Sequence, residues 1–485
     1  MMKRTIAMLG ATAALAACSF EPHYVRPAMP VPPSWPQGDA YLTQSEATLP
    51  SVNYEQVFTD PRLQQVITQA LKNNRDLRIA VADIEQARAG YRIQRADLFP
   101  EIDATGQATF RGNNDSSSST PTHSYTADVG ASAFEIDLFG RVRSLSHAAL
   151  DQYFASEAGA RATRLTLVGE VATAWLTYAA DQSLLTIAED TVKNAQQSVN
   201  LTQARLNGGI APRTDLRQAQ TVLDTAQSDV AQQKTYLAQD VNALQLLVGA
   251  PIDTTLLPSA IENVAPSLHE LPAGLDSSIL LRRPDVIEAE YQLRAANAQI
   301  GAARASLFPR LPLTGLAGFA STALSSLFTG GAFNWSVSPS VSYPIFRAGA
   351  GRAEVAQSKA ARDAALATYE KAIQSAFRDV ADALARRGTI DAQVAADRNN
   401  VEHSLDNYRL SDARYRGGID TFLSSLDAQR TLYSAQRTYV ATELTKAANL
   451  VNLYTALGGD ATLDATANGP RPVTPEPDGS PIPNL

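Results

Sequence analysis

At an offset of 209 residues the chain repeats itself. Leu98-Phe99-Pro100 recurs as Leu307-Phe308-Pro309, and Arg95-Ala96 just before it as Arg304-Ala305. The same step pairs Asp76 with Asp285, Gly208-Gly209-Ile210 with Gly417-Gly418-Ile419, Ala219-Gln220 with Ala428-Gln429 and Gly249 with Gly458. One register held over about 170 residues marks a tandem duplication and settles the architecture before any motif does. The 485 residues are therefore better counted as two copies of one unit plus tails than as three domains.

Both copies carry the same segments in the same order. A helical stretch, about Pro61 to Leu98 and again Pro284 to Leu307, is stopped by Phe-Pro, because proline biases the residue before it out of a helix. Period-two alternation follows. Ile102, Ala104, Gly106, Ala108 and Phe110 alternate with polar neighbours, and Leu311, Leu313, Gly315, Ala317 and Phe319 take the matching positions. A Gly/Ser/Asn-rich loop, Gly112 to Thr122 or Ser321 to Gly331, leads to a return strand. In the second copy that strand sets Trp335, Val337, Pro339, Val341 and Tyr343 against four serines. The predicted hairpins thus occupy about 101–139 and 310–346.

The period then becomes helical and stays so. Ser144 to Asn207 and Gly351 to Arg416 contain no proline, and Ala353, Ala356, Ala360, Ala364 and Ala367 lay a small-residue stripe along one face. Sixty-odd residues of helix extend on the order of 95 Å, farther than a bilayer is thick. Each long helix ends at a double glycine that supplies a left-handed cap, and a second helix returns, Arg213 to Val248 or Thr421 to Leu457. Taken alone, an Ala-rich helical hairpin reads as part of a coiled-coil bundle.

The ends belong to neither copy. Met1 to Ala17 reads as a secretory leader, with Lys3 and Arg4 before an apolar run too short to span a bilayer. The single Cys of the chain follows it, in Leu15-Ala16-Ala17-Cys18, which resembles a bacterial lipobox. Acylation at Cys18 would supply a stable anchor, since several acyl chains hold where one does not. Ser19 after it resembles the outer-membrane sorting pattern. Residues 18–60 are then an extended, lipidated tether and 460–485 a Pro-rich tail, because Glu21 to Pro36 and Gly469 to Leu485 each carry six prolines.

Ten or so residues of strict alternation, apolar on one face and hydroxyl-bearing on the other, match a transmembrane β-strand. Locally, a half-buried β-sandwich would look the same. The leader, the lipobox and the aromatic Trp335 and Tyr343 near the strand's ends favour the membrane. Four strands cannot close, and an open edge cannot sit in lipid. Two chains would give eight strands, whose interior side chains fill, so a conducting pore needs at least three chains.

Composition closes off other classes. About 80 alanines leave few large hydrophobes, which suits helices packed closely side by side. One Cys excludes a disulfide framework and any Cys-based metal cluster. A net charge of −8 argues against nucleic acid. The five histidines are scattered with no i,i+4 metal pair, and there is no P-loop, G-x-G-x-x-G or G-x-S-x-G, so no cofactor and no enzymatic activity is expected.

Three stretches carry a family resemblance. They are Asp60-Pro61-Arg62-Leu63 through Asn73-Asn74-Arg75-Asp76-Leu77-Arg78, Arg283-Pro284-Asp285-Val286 through Leu307-Phe308-Pro309, and Tyr343-Pro344-Ile345-Phe346-Arg347. They resemble the outer-membrane efflux lipoproteins of the TolC and OprM class (outer membrane factor, NodT-type), over the chain from Cys18 to about Gly459. The resemblance implies an α+β membrane protein. Its homotrimer forms a twelve-stranded transmembrane β-barrel, four strands per chain, continued by a long periplasmic α-helical barrel. Repeat 1 then spans 61–250 and repeat 2 spans 284–459, with 251–283 and part of the C-terminal end in a mixed equatorial domain. It also implies the outer membrane of a Gram-negative bacterium. The expected role is the exit duct of a tripartite efflux pump, partnered by a periplasmic adaptor (membrane fusion protein) and an inner-membrane transporter of the resistance-nodulation-division type.

The double-glycine turns, Gly208-Gly209 and Gly417-Gly418, would then form the periplasmic tips that meet the adaptor and close like an iris. By resemblance, Tyr415, Arg416, Asp427 and Arg430 match the polar network that holds the tip closed, and Leu423 matches an apolar constriction. The first copy departs from that pattern, with Asn207 in place of the arginine and Asp215 as its anionic candidate, so the tips should be unequal. From the residues alone, Asp427 and Arg430 read as an i,i+3 surface pair and Asp215 as a first-turn carboxylate favoured by the helix dipole. Two other functions compete with the duct. A periplasmic adaptor lipoprotein would carry one helical hairpin and no repeated strand pair. A non-conducting coiled-coil lipoprotein would leave the serine-alternating strands without purpose.

Overall fold

The computed structural model describes residues 19–41, 53–111, 122–264 and 276–473. The leader, Cys18 and residues 474–485 lie outside the described residues, as does most of the first hairpin loop. The main helices are α1 (Pro61–Asn73), α2 (Arg75–Ala96), α3 (Arg141–Asn207), α4 (Arg213–Val248), α5 (Pro284–Ala305), α6 (Ala350–Arg416) and α7 (Phe422–Ala456). The strands are β1 (Asp103–Arg111), β2 (Thr122–Glu135), β3 (Pro312–Ser321), β4 (Phe333–Pro339), β5 (Leu463–Thr466) and β6 (Gly469–Pro472). The order helix, hairpin, long helix, return helix thus occurs twice, and α3 and α6 are each 67 residues long. No helix among the described residues is long and apolar enough to cross a membrane.

The chain divides into two compact units, and within the first, Met1–Ala28, Asp83–Glu157 and Glu288–Glu370, the strands form one antiparallel sheet in the order β1-β2-β3-β4. Its register pairs Gly106 with Ala127, Val129 with Ala317 and Ala317 with Trp335. Gly130 and Gly318 sit where a Cβ would strike the backbone of the adjacent strand, so β2 and β3 approach more closely than side chains allow. A bulge between Ala131 and Phe134, with Ala133 at φ 55°, bends β2 at its end. The strand expected to run to Tyr343 is regular only to Pro339; Ser340 N–H still donates to the Pro312 carbonyl at 2.9 Å, but Pro312 has no N–H to return, and Arg310 and Ser342 pair beyond it. Four apolar side chains of the sheet stand uncovered: Phe110, Val129, Trp335 and Val337 are 53–70% exposed, while Leu313, Leu316 and Phe319 of β3 are partly covered. Among the described residues no second layer packs on those four, unlike the half-buried sandwich that the alternation alone permitted.

In the same unit residues 19–28 are fastened to α5 and its surroundings. Phe20 stacks on Phe308 at 4.6 Å, Asn297 donates to the Pro22 carbonyl at 2.7 Å, and Arg26 pairs with the buried Glu290 at 2.8 Å. Arg294 holds the same carboxylate at 2.7 Å. The segment is extended, in keeping with Pro22 and Pro27, but it is docked rather than loose.

The second unit comprises Met29–Ala82, Ala158–Ile287 and Lys371–Leu485. The helix expected over 61–98 breaks at Asn74. This buried side chain accepts from Leu77 N–H at 2.9 Å to start α2 and donates to the Leu247 carbonyl at 2.8 Å. The core of this unit holds Trp175, fully buried with its indole N–H donating to the Leu256 carbonyl at 2.9 Å, and Trp35, stacked on Phe377 at 4.9 Å. The segment 460–485, expected as a tail, instead begins with a 3₁₀ turn (Gly459–Ala461) and the β5–β6 hairpin. Asp460 in that turn forms a two-bond pair with the buried Arg164 of α3 at 2.8 and 2.9 Å.

Candidate functional site

Both hairpin tips lie in the second unit, and their backbones follow one plan. In the first, Ile210 N–H reaches back to Arg205 carbonyl at 2.9 Å and Gly209 takes φ 72°. In the second, Ile419 N–H reaches Arg414 carbonyl at 2.9 Å and Gly418 takes φ 75°. This is the Schellman closure, which satisfies last-turn carbonyls and needs a left-handed residue just past the helix. Only the second glycine of each pair meets that need. Gly208 and Gly417 are not left-handed, and a Cβ on either would meet nothing nearer than 3.5 and 3.4 Å.

Side chains make the tips different. Tyr415, 4% exposed, packs with Ala219, Phe422 and Leu426, its ring 5.2 Å from that of Phe422. Arg205 lies over the same ring, 4.5 Å from its centroid. Arg416 donates to Asp412 at 2.7 Å, four residues back on α6. Asp420, unremarked in the sequence, organises the second turn. It accepts from Thr421 N–H at 2.7 Å, Ser424 hydroxyl at 3.0 Å and Arg414 Nε at 3.3 Å. The Thr421 backbone bond, followed by Ser424 and Arg414, holds its carboxyl below the usual range.

The remaining expected residues are not brought together within one chain. Leu423, Asp427 and Arg430 fall on one exposed face of α7, spaced by four and three residues. Among the described residues the Asp427 and Arg430 side chains form no ion pair with each other. Asp215 stands in the first turn of α4, partly exposed. Phe422 and Leu426 stand four residues apart, a helical apolar spacing that points to a buried face, but no local signal assigned them or Ala219 to the tip.

A second polar cluster joins α3 to α4 farther from the tips. Asp181 and Asp240 face each other beside Tyr178, and the Asp240 Oδ2 is buried without a hydrogen-bond partner. Burial first, and then the Asp181 charge, pushes the Asp240 carboxyl up to about 7. A carboxyl raised on folding stabilises the protonated fold, so this contribution is complete at pH ~4 and is lost as pH rises to ~7. Asp240→Asn is therefore expected to melt at a higher temperature than the parent above pH 7 and at the same temperature near pH 4. A pH-independent difference would show that the Asp240 carboxyl is not raised on folding.

The protein-family model described as outer membrane efflux protein matches residues 66–250 and 275–459. Both bounds of the second match lie 209 residues beyond those of the first. Over 465 residues the chain is 44% identical to the probable efflux pump outer membrane protein TtgC of Pseudomonas putida, covering 94% of this chain and 96% of that protein. It is 37% identical over 450 residues to the cation efflux system protein CusC of Escherichia coli, with 92% and 96% covered. Among solved structures, the open state of the Neisseria gonorrhoeae MtrE outer membrane channel superposes with a TM-score of 0.82 at 35% identity, over 91% of this chain and 98% of that one.

Proposed function

This chain belongs to the outer membrane efflux protein family, and from that premise we propose that three copies form a gated exit duct through the outer membrane. The observation that carries the reading is the uncovered sheet. Its four strands leave β1 and β4 as open edges and expose Phe110, Val129, Trp335 and Val337. Lipid would cover those side chains, and strands of neighbouring copies would satisfy the edges, twelve strands closing round a pore. Ala353, Ala356, Ala360, Ala364 and Ala367 of α6 are all exposed in the single chain, which suits close approach of another helix.

In this reading the helical tips are closed at rest by Tyr415, Arg416, Asp427, Arg430 and Asp215, with Leu423 as the apolar constriction. Three copies of Asp427 round a narrow mouth would favour cations. A periplasmic adaptor, engaging the tips near Gly208, Gly209, Gly417 and Gly418, shifts them to a splayed state. An inner-membrane transporter of the resistance-nodulation-division type then drives substrate through, and the duct itself conducts passively. Acylation at Cys18 adds a lipid anchor, and no cofactor takes part.

In a planar lipid bilayer, Asp427→Ala and Arg430→Ala are each expected to raise single-channel conductance several-fold over the parent. Unchanged conductance in both would reduce them to surface residues of α7. A monomer that leaves the membrane on salt wash alone would overturn the duct.

A further inference from the structure

The two tips descend from one repeated sequence, yet their arginines do different things. Arg414 corresponds to Arg205 at the 209-residue offset, and it bonds to Asp420 of its own turn at 3.3 Å. The residue that corresponds to Asp420 in the first tip is Ala211, so Arg205 has no carboxylate in its own turn. Its guanidinium instead crosses to the second tip. It lies 4.5 Å from the Tyr415 ring centroid, and Nη2 donates to the Arg416 carbonyl at 3.2 Å.

Both contacts are chemically favourable. The Arg416 carbonyl is among the last four of α6, which lack partners within the helix and carry the negative end of its dipole. A guanidinium satisfies one of them while lying over an aromatic ring. The arrangement cannot be reciprocal, since the residue corresponding to Tyr415 in the first tip is Leu206.

We propose that Arg205 is a positioning residue that latches the first tip to the second and so sets the closed state of each protomer. The latch rests on the gating reading above and adds to it a residue of the other hairpin. Loss of Arg205 lets the α3–α4 tip move independently of the α6–α7 tip. Each lost latch shifts the open-to-closed ratio by roughly two- to five-fold, the range of an exposed cation–π contact.

The test compares trimers in planar bilayers. Arg205→Ala is expected to raise open probability, and Arg205→Lys to restore part of the closure by keeping the charge. Ala211→Asp gives Arg205 a carboxylate in its own turn, as in the second tip, and should mimic Arg205→Ala without removing any contact of the core. In an Arg205→Ala, Tyr415→Leu cycle the double variant should open no more than the stronger single one, as partners in one contact require. If Asp427→Ala and Arg430→Ala open the channel while Arg205→Ala and Ala211→Asp behave as the parent, the latch is wrong and the gate stands. If none of these variants changes conductance, the gating reading fails and the latch with it.

Discussion

Replacing Asp460 with alanine is expected to cost the fold about 3–5 kcal/mol, the penalty for leaving one charge of a buried pair uncompensated. The Arg164 and Asp460 side chains are 9% and 7% exposed and meet through two parallel bonds of 2.8 and 2.9 Å. Burial alone would depress the guanidinium's proton affinity, yet hydrogen bonding and the charge of Asp460 leave it above its ordinary value. The Tyr454 hydroxyl donates to the same carboxylate at 3.0 Å. The turn that presents Asp460 needs Gly458 at φ 91° and Gly459 at φ 49°, so its position is fixed by backbone as well as by charge. Thermal or denaturant unfolding of the detergent-solubilised protein measures the loss. Paired apolar replacement, Arg164→Met with Asp460→Leu, is expected to be less damaging than Asp460→Ala alone, because it removes both charges together. A loss below about 1 kcal/mol in the single variant would mean the pair behaves as a screened surface bridge.

That pair also marks the limit of what could be read along the chain. Local signals served well: the glycines at 209 and 418, the proline before α4 and the offset of 209 residues located helix ends to within a few residues. Arg213–Val248 was legible at both ends because Pro212 and Gly249 bound it. Contacts between distant residues left no such trace. Arg164 and Asp460 are 296 residues apart, and a Pro-rich composition disguised the turn and hairpin that carry Asp460. Asn74 broke an expected helix because its side chain satisfies the Leu247 carbonyl, 173 residues on. At the tips, the backbone plan was visible in the double glycines. The role of Arg205 was not, since it depends on what Ala211 lacks and on which helix ends beside it.

Cys18→Ser is expected to abolish incorporation of radiolabelled palmitate altogether while leaving the protein in the outer-membrane fraction. Multiple acyl chains on one residue form a stable anchor, but three chains together would already place twelve strands in lipid. The adjoining residues have protein contacts of their own. Phe20 stacks on Phe308, which in turn lies 4.9 Å from Phe139, and Arg304 donates to the Phe20 carbonyl at 3.2 Å. Glu21 bonds His147 at 3.1 Å, and this contact raises the imidazole above its ordinary range. Its contribution is therefore full at acid pH and fades as pH rises through the raised value. Docking of residues 19–28 should survive loss of the acyl chains, aided further by Arg26 and Glu290. Limited proteolysis of the Cys18→Ser protein at neutral pH should accordingly match the parent. Continued palmitate labelling of the variant would refute the lipid assignment. Release of the unlabelled variant by salt wash would show that the acyl chains, rather than the strands, hold this protein in the membrane.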